Sequence, residues 1–191
     1  MRVSRLLGAF AGLALVACDQ TQSSDPISAL DPGLQRSVLH DDAPVAAASG
    51  AGQFDINGLL VTFSLSAEVD KTGIAKGEFT LFADEGDGLI VDFDGKVTCL
   101  AVDAVNRRAW IGGKIKDNRS TDPAFLAKIN KKARDIWFRV LDEPGGDRST
   151  FVGFEGSAGF ITSEEYCAGQ PWPDANARTW PVVSGGLTVV P

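Results

Sequence analysis

Beyond residue 53, hydrophobic and polar positions alternate with a period of two through much of the chain. Leu59, Val61, Phe63, Leu65, Ala67 and Val69 interleave with Leu60, Thr62, Ser64, Ser66, Glu68 and Asp70. Such alternation puts apolar side chains on one face and mostly polar ones on the other, the pattern of a half-buried antiparallel strand. Asn57-Gly58, just before it, is a hairpin signal, and Asp70-Lys71-Thr72-Gly73 reads as a second turn. The next strand, Ile74 to Ala83, turns Phe79, Leu81 and Ala83 inward and Glu78 and Thr80 outward.

The stretch from Leu89 to Ile115 predicts two strands folded back on each other. Leu89, Val91, Phe93, Val97, Cys99 and Ala101 share one face; Asp92, Asp94, Lys96 and Thr98 share the other. After Cys99 the outer face turns apolar at Leu100 and Val102, so either something covers the sheet there or a bulge shifts the register. A turn at Val105-Asn106 returns the chain through Ala109, Ile111 and Ile115, with Trp110 on the opposite face.

From Thr121 to Arg134 the period changes. Asp122 can cap, Pro123 fits a first helical turn, and Phe125, Leu126, Ile129 and Ala133 form one stripe. This predicts an amphipathic helix over Asp122–Arg134, lying across the face that carries Leu100, Val102, Trp110 and Trp137, since a stripe needs a partner. Ile136, Phe138 and Val140 then alternate with Trp137 and Arg139, and Pro144-Gly145-Gly146-Asp147 turns the chain into a strand near Thr150 to Phe154. Ser163 opens a helical turn, Gln170 to Pro181 forms a loop, and Leu187 to Val190 is a last strand placed to pair with an early one. The expected fold is mainly β: an antiparallel barrel or sandwich with one short amphipathic helix crossing the sheet, because open edges invite unwanted pairing.

Composition adds a compartment and removes a class of partner. The 191 residues, 23% of them charged and 44% hydrophobic, fit one domain with appendages. A net charge of −7 repels phosphate backbones, which argues against nucleic acid.

Residues 1–17, MRVSRLLGAFAGLALVA, pair Arg2 and Arg5 with an apolar run too short to span a bilayer. That is the layout of a secretory signal peptide. It ends in Leu15-Val16-Ala17-Cys18, which resembles the lipobox of bacterial lipoproteins. The resemblance implies cleavage before Cys18, diacylation of its sulfur and attachment to a membrane of the cell envelope. Asp19 resembles an inner-membrane retention signal of enterobacterial lipoproteins, a rule that does not extend to all bacteria, so inner membrane, outer membrane and cell surface stay open. Residues 18–52 are rich in Ala, Ser, Asp, Pro and Gly, without lasting apolar periodicity, and predict a disordered tether with a reach of about 30 Å. Residues 53–191 are then the β-rich domain.

Few groups are candidates for chemistry. With Cys18 lipidated, Cys99 and Cys167 remain, and an exported chain with two cysteines left over joins them. Leu100, Val102, Trp110 and Trp137 form a candidate ligand face, for a sugar or an apolar molecule, unless the helix buries them. Asp84, Asp87, Asp92 and Asp94 are candidate calcium ligands, but they lack EF-hand spacing and serve equally as turn and surface residues. His40, the only histidine, falls in the tether, so a Ser-His-Asp or Cys-His arrangement has no base. There is no phosphate loop, dinucleotide fingerprint or zinc ligand set, and no cofactor is expected. For hydrolysis there is left a carboxylate pair such as Glu164 with an Asp elsewhere, and carboxylates are common on any acidic surface.

The run Gly95-Lys96-Val97-Thr98-Cys99-Leu100, the turn at Asn106, Trp110-Ile111-Gly112-Gly113-Lys114-Ile115 and Phe138-Arg139-Val140-Leu141-Asp142 with Gly145-Gly146 are together similar to an uncharacterised β-rich domain of bacterial secreted proteins and lipoproteins. The resemblance covers about half of the globular region and implies no activity. The expected role is a lipid-anchored envelope protein with a non-catalytic binding or structural domain and an envelope protein or glycan as partner. The alternatives are a small barrel holding an apolar ligand, or a hydrolase of wall or glycan.

Overall fold

The alternating segments pair in sequence order around a closed ring. The computed structural model describes residues 44–129, 135–150, 162–172, 176 and 178–191. The leader, Cys18 and His40 lie outside these, as do residues 130–134 and 151–161, where the end of the expected helix and most of the strand near Thr150 to Phe154 would fall. The strands are β1 (Ala46–Ile56), β2 (Leu59–Val69), β3 (Ala75–Asp84), β4 (Ile90–Asp103), β5 (Arg108–Asn118), β6 (Asp135–Leu141), β7 (Arg148–Ser149) and β8 (Trp180–Val190). Neighbours pair antiparallel, and β8 returns to β1, closing a barrel rather than a sandwich. Helices α1 (Pro123–Ile129) and α2 (Ser163–Gly169) complete the described elements.

β1 begins inside the span expected to be tether. Its first half, Ala46 to Gly52, lacks large apolar residues yet pairs with both β2 and β8. Small residues are what this seam needs: a Cβ on Gly50 would come within 2.9 Å of the Leu187 Cα. Asn57 and Gly58, with φ of 53° and 97°, make the β1–β2 turn as expected.

The barrel interior is filled by side chains. Phe54, Phe63, Leu65, Phe79, Leu81, Phe93, Ile111, Ile136, Phe138 and Leu187 all belong to one buried cluster. Four rings touch in series: Phe138 on Phe79 at 5.7 Å, Phe79 on Phe93 at 6.4 Å, and Phe93 stacked on Phe125 at 5.1 Å. Eight strands leave an interior that side chains can just fill, and this one is spanned by aromatic rings from β6 through β3 and β4 to α1.

α1 therefore differs from its expected place. Asp122 caps it through its carboxylate, which accepts the Ala124 and Phe125 amides at 3.0 and 2.9 Å. Its Phe125 and Ile129, however, join the interior cluster instead of crossing the sheet over the tryptophans. The helix on that outer face is α2, which packs on β4, β5 and β6.

The last gap in the barrel is closed by carboxylates. β7 spans two residues and pairs with β8 only at Trp180 and Pro181. Farther along β8, the Asp147 carboxylate accepts the Leu187 amide at 2.6 Å, and Asp142 accepts the Val189 amide at 3.1 Å. Two side chains thus stand in for a missing stretch of strand.

Candidate functional site

The chemistry-bearing residues gather on the outer wall of β4, β5 and β6, and a bulge puts them there. Val97 pairs with Gly113 and Cys99 with Gly112, so Thr98 is an extra residue in β4. Past it the strand's faces exchange. Leu100 and Val102 pack against the interior cluster, while Ala101 packs against the outer cluster of Trp110, Trp137 and Tyr166. The expected ligand face is thereby divided: Leu100 and Val102 look inward, Trp110 and Trp137 outward. Cys99, expected to face inward, instead meets Cys167 of α2, and the two form a disulfide with Cα atoms 6.2 Å apart.

Two adjacent glycines let the wall serve both sides. A Cβ on Gly112 would lie 2.6 Å from Cys99 Sγ and from Ser163 Cβ, so its absence lets α2 sit directly on the strand. A Cβ on Gly113 would lie 2.6 Å from Phe79 Cε1 on the inside. The Gly-Gly pair thus admits the helix on one face and the central ring of the interior on the other.

α2 is capped at both ends. Thr162 accepts the Glu165 amide at 3.1 Å, and Gln170 adopts φ 44°, ψ 51° and returns its amide to the Tyr166 carbonyl. Tyr166 is fully buried and stacks on Trp137 at 5.8 Å. Beyond the helix, Trp172 meets Trp110 edge-on at 5.7 Å, and the Arg108 and Arg139 guanidinium carbons lie 4.4 and 4.5 Å from its ring centre. Trp110 Nε1 donates to the Pro171 carbonyl at 2.8 Å. Trp110 and Trp137 are 3% and 4% exposed, so α2 and the chain after it bury both tryptophans. A helix does cover them, but it is this one.

At the N-terminal edge of α2 lies a polar group. The buried Ser163 hydroxyl is 3.1 Å from Thr98 Oγ1, 3.1 Å from Glu164 Oε2 and 3.4 Å from Asp135 Oδ1; Thr98 also donates to Glu164 Oε1 at 3.0 Å. Burial pushes the Asp135 carboxyl above its ordinary range; Lys114 opposes this, and the Glu164 charge adds to it. Burial also pushes Glu164 upward, but bonds from its own amide, Thr98 and Ser163, with the Lys114 charge, leave it below its ordinary range. Glu164 was visible in the sequence. Asp135 was not, because it falls where one predicted element ends and the next begins.

The acidic residues considered for calcium are not assembled. Arg119 binds both Asp92 oxygens, at 2.8 and 2.9 Å, and Asp94 at 2.8 Å; these bonds hold its guanidinium firmly protonated. Asp84 accepts the Gly86 amide at 2.9 Å, and Asp87 is an exposed turn residue with φ 53°. Among the described residues, no three or more His, Cys, Asp or Glu side chains are grouped to hold a metal ion. Along β2, β3 and the neighbouring part of β4, a groove of about 380 Å³ lies between Glu68, Lys76, Glu78 and Lys96, with Lys76 and Glu68 paired at 3.1 Å.

No protein-family model, curated protein or solved structure matches the chain.

Proposed function

We propose that the chain is a lipid-anchored protein of the cell envelope whose barrel is a packed, non-catalytic module for binding or support. The observation that carries the second half of this reading is the series of touching rings, Phe138, Phe79, Phe93 and Phe125. A barrel that stores an apolar ligand needs that space open; here aromatic side chains occupy it. Function is left to the outer wall. The Cys99–Cys167 disulfide agrees with an oxidising compartment, and the Leu15–Cys18 sequence supplies the anchor.

Titrating the full chain with a fluorescent fatty acid tests the packed interior. The expected result is no saturable uptake, and one equivalent held inside the barrel overturns the reading. Mass spectrometry of the membrane-extracted protein tests the anchor separately, expecting a mature N-terminus at Cys18 carrying diacylglyceryl; an unmodified Cys18 overturns it.

One observation favours the hydrolase alternative. Asp135 and Glu164 both lie within hydrogen-bond distance of the Ser163 hydroxyl, which can donate its one proton to either, while their environments push their proton affinities in opposite directions, the arrangement an acid–base pair needs. Against it, Ser163 occupies the space between them and Asp135 is only 8% exposed. Release of reducing ends from peptidoglycan, lost in both Asp135→Asn and Glu164→Gln, would restore that alternative.

A further inference from the structure

Antiparallel strands that follow one another around a ring leave alternate turns at opposite ends of the barrel. One rim therefore gathers the start of β1, the β2–β3, β4–β5 and β6–β7 turns and the end of β8. Aliphatic side chains stand exposed at four of these five places: Val45 at 51%, Ile74 at 62%, Val105 at 92% and Val190 at 42%. Ile74 and Val105 are the most exposed large hydrophobic residues among those described. Three of the four form an arc over adjacent strands. Val190 lies opposite Ala47 in the β8–β1 ladder, the Val45 amide donates to the Val69 carbonyl at 2.9 Å, and the Asp70 amide donates to the Ile74 carbonyl at 3.1 Å.

Aliphatic residues exposed singly are ordinary; what sets this rim apart is that its aspartates are bonded within the fold. Asp70 accepts the Thr72 amide at 2.8 Å, the Thr72 hydroxyl at 2.6 Å and the Ile74 amide at 3.1 Å. Asp103 accepts the Asn106 backbone and side-chain amides at 3.1 and 2.5 Å. Asp142 is held by Arg107 and the Val189 amide, and Asp147 by the Glu143 and Leu187 amides. An apolar surface brought against this rim leaves those bonds in place. At the opposite rim Glu85 and Asp87 stand exposed in the β3–β4 turn, although Leu60, Phe82 and Leu89 are exposed near it. The aliphatic rim is also where the chain from Cys18 arrives. Pro44, the first described residue, follows Cys18 by 26 positions (44 minus 18), a length that spans no more than about 90 Å fully extended.

We propose that this rim is a membrane-docking surface, on which Val45, Ile74, Val105 and Val190 seat the barrel at the headgroup boundary of a net-neutral lipid bilayer. The proposal rests on the anchor reading for the way the rim reaches the bilayer. Four aliphatic side chains hold lipid weakly by themselves, because such binding follows the apolar area buried. An anchor beside them raises the effective concentration of lipid to the order of millimolar, and at that level a weak contact is occupied. The net charge of −7 opposes an anionic surface, which selects a neutral one.

The test uses the mature chain from residue 18, carrying Cys18→Ser so that no acyl chain contributes. It is mixed with phosphatidylcholine vesicles at about 10 mM lipid, the range an anchor imposes. Flotation is expected to carry a measurable fraction of the protein with the vesicles. Val45→Ser, Ile74→Ser and Val105→Ser together should lower that fraction roughly threefold or more, whereas Leu60→Ser with Phe82→Ser should leave it unchanged. A dye on Val105→Cys should be quenched by lipids brominated in the acyl chain, and the same dye on Asp87→Cys should not. Absence of flotation overturns the proposal, as do equal losses in the two sets of serine variants or equal quenching at the two dye positions. A dimer that forms without lipid and is lost with the three rim serines assigns the rim to a second copy and also overturns it. The anchor is judged apart: an unmodified Cys18 in the membrane-extracted protein sinks the anchor while flotation still decides the rim, and failed flotation beside an acylated Cys18 sinks the rim alone.

Discussion

Replacing Phe79 with alanine probes whether the barrel interior is packed. The ring is 1% exposed and lies between Phe138 and Phe93, so its removal breaks the aromatic series at its centre. A buried Phe→Ala change costs about 3–5 kcal/mol, more where the surroundings cannot collapse. Here collapse is restricted on one side, because Gly95 and Gly113, two of the residues directly against the ring, have no side chains to move into the gap. The upper half of that range is therefore expected. For a domain of this size each kcal/mol moves the melting midpoint by about 2–4 °C, so the variant should melt roughly 8–20 °C below wild type.

The cavity left behind is lined by aromatic and aliphatic groups, and such cavities stay dry and accept small apolar guests. Benzene at ten times its dissociation constant should restore about 1.4 kcal/mol to the variant and nothing to the wild type. Guanidinium unfolding with and without benzene measures both quantities. A loss below about 1 kcal/mol, or equal stabilisation of both proteins by benzene, would falsify the packed interior and return the lumen to the list of binding sites.

The remaining predictions concern the wall and the seam. Gly112→Ala should lift α2 directly, whereas Gly113→Ala presses on Phe79 and on the Lys96 carbonyl of β4; both should cost about 1–3 kcal/mol, and the first should alter tryptophan emission more than the second. Asp135 has a raised proton affinity in the fold, so its carboxylate form costs stability once pH exceeds the unfolded value near 3.9. Asp135→Asn should therefore melt higher than wild type at pH 7 and lose that advantage in acid, as calorimetry across pH would show. Glu164 has the opposite sign: its contribution is present above about pH 4.3 and fades as pH falls through the lower folded value, so Glu164→Gln should melt lower at pH 7 and match wild type in acid. Asp142→Ala leaves the buried Val189 amide without an acceptor and frees Arg107, bonded to Asp142 at 2.6 Å. Loss of about 1–3 kcal/mol and faster exchange at the Val189 amide are expected, and protection equal to wild type there would count against the carboxylate seam.

How much of this was legible in the sequence depended on side-chain size. β2, β3, β4, β5 and β6 were readable because large apolar residues mark their inner faces. β1 was not: Ala46 to Gly52 are small because they lie against β8 at close range, and a close seam reads in sequence as a low-complexity linker. The exchange of faces at Thr98 left one trace, the apolar pair Leu100 and Val102 on what should have been the wet side. That trace allowed a bulge or a cover, and both are present. The cover was assigned to α1 because its stripe is plain, yet α1's Phe125 completes the interior series instead. α2 shows little stripe of its own in seven residues, and its seat is recorded in another element, at Gly112.

Interior and cover are coupled through one strand. In β5, Ile111, Gly113 and Ile115 face the rings, while Trp110 and Gly112 face α2, so every second residue answers to a different neighbour. A shift of β5 by a few tenths of an ångström to relieve Phe79 would be felt at once under Ser163 and Cys99, because interiors packed at this density transmit displacement instead of absorbing it.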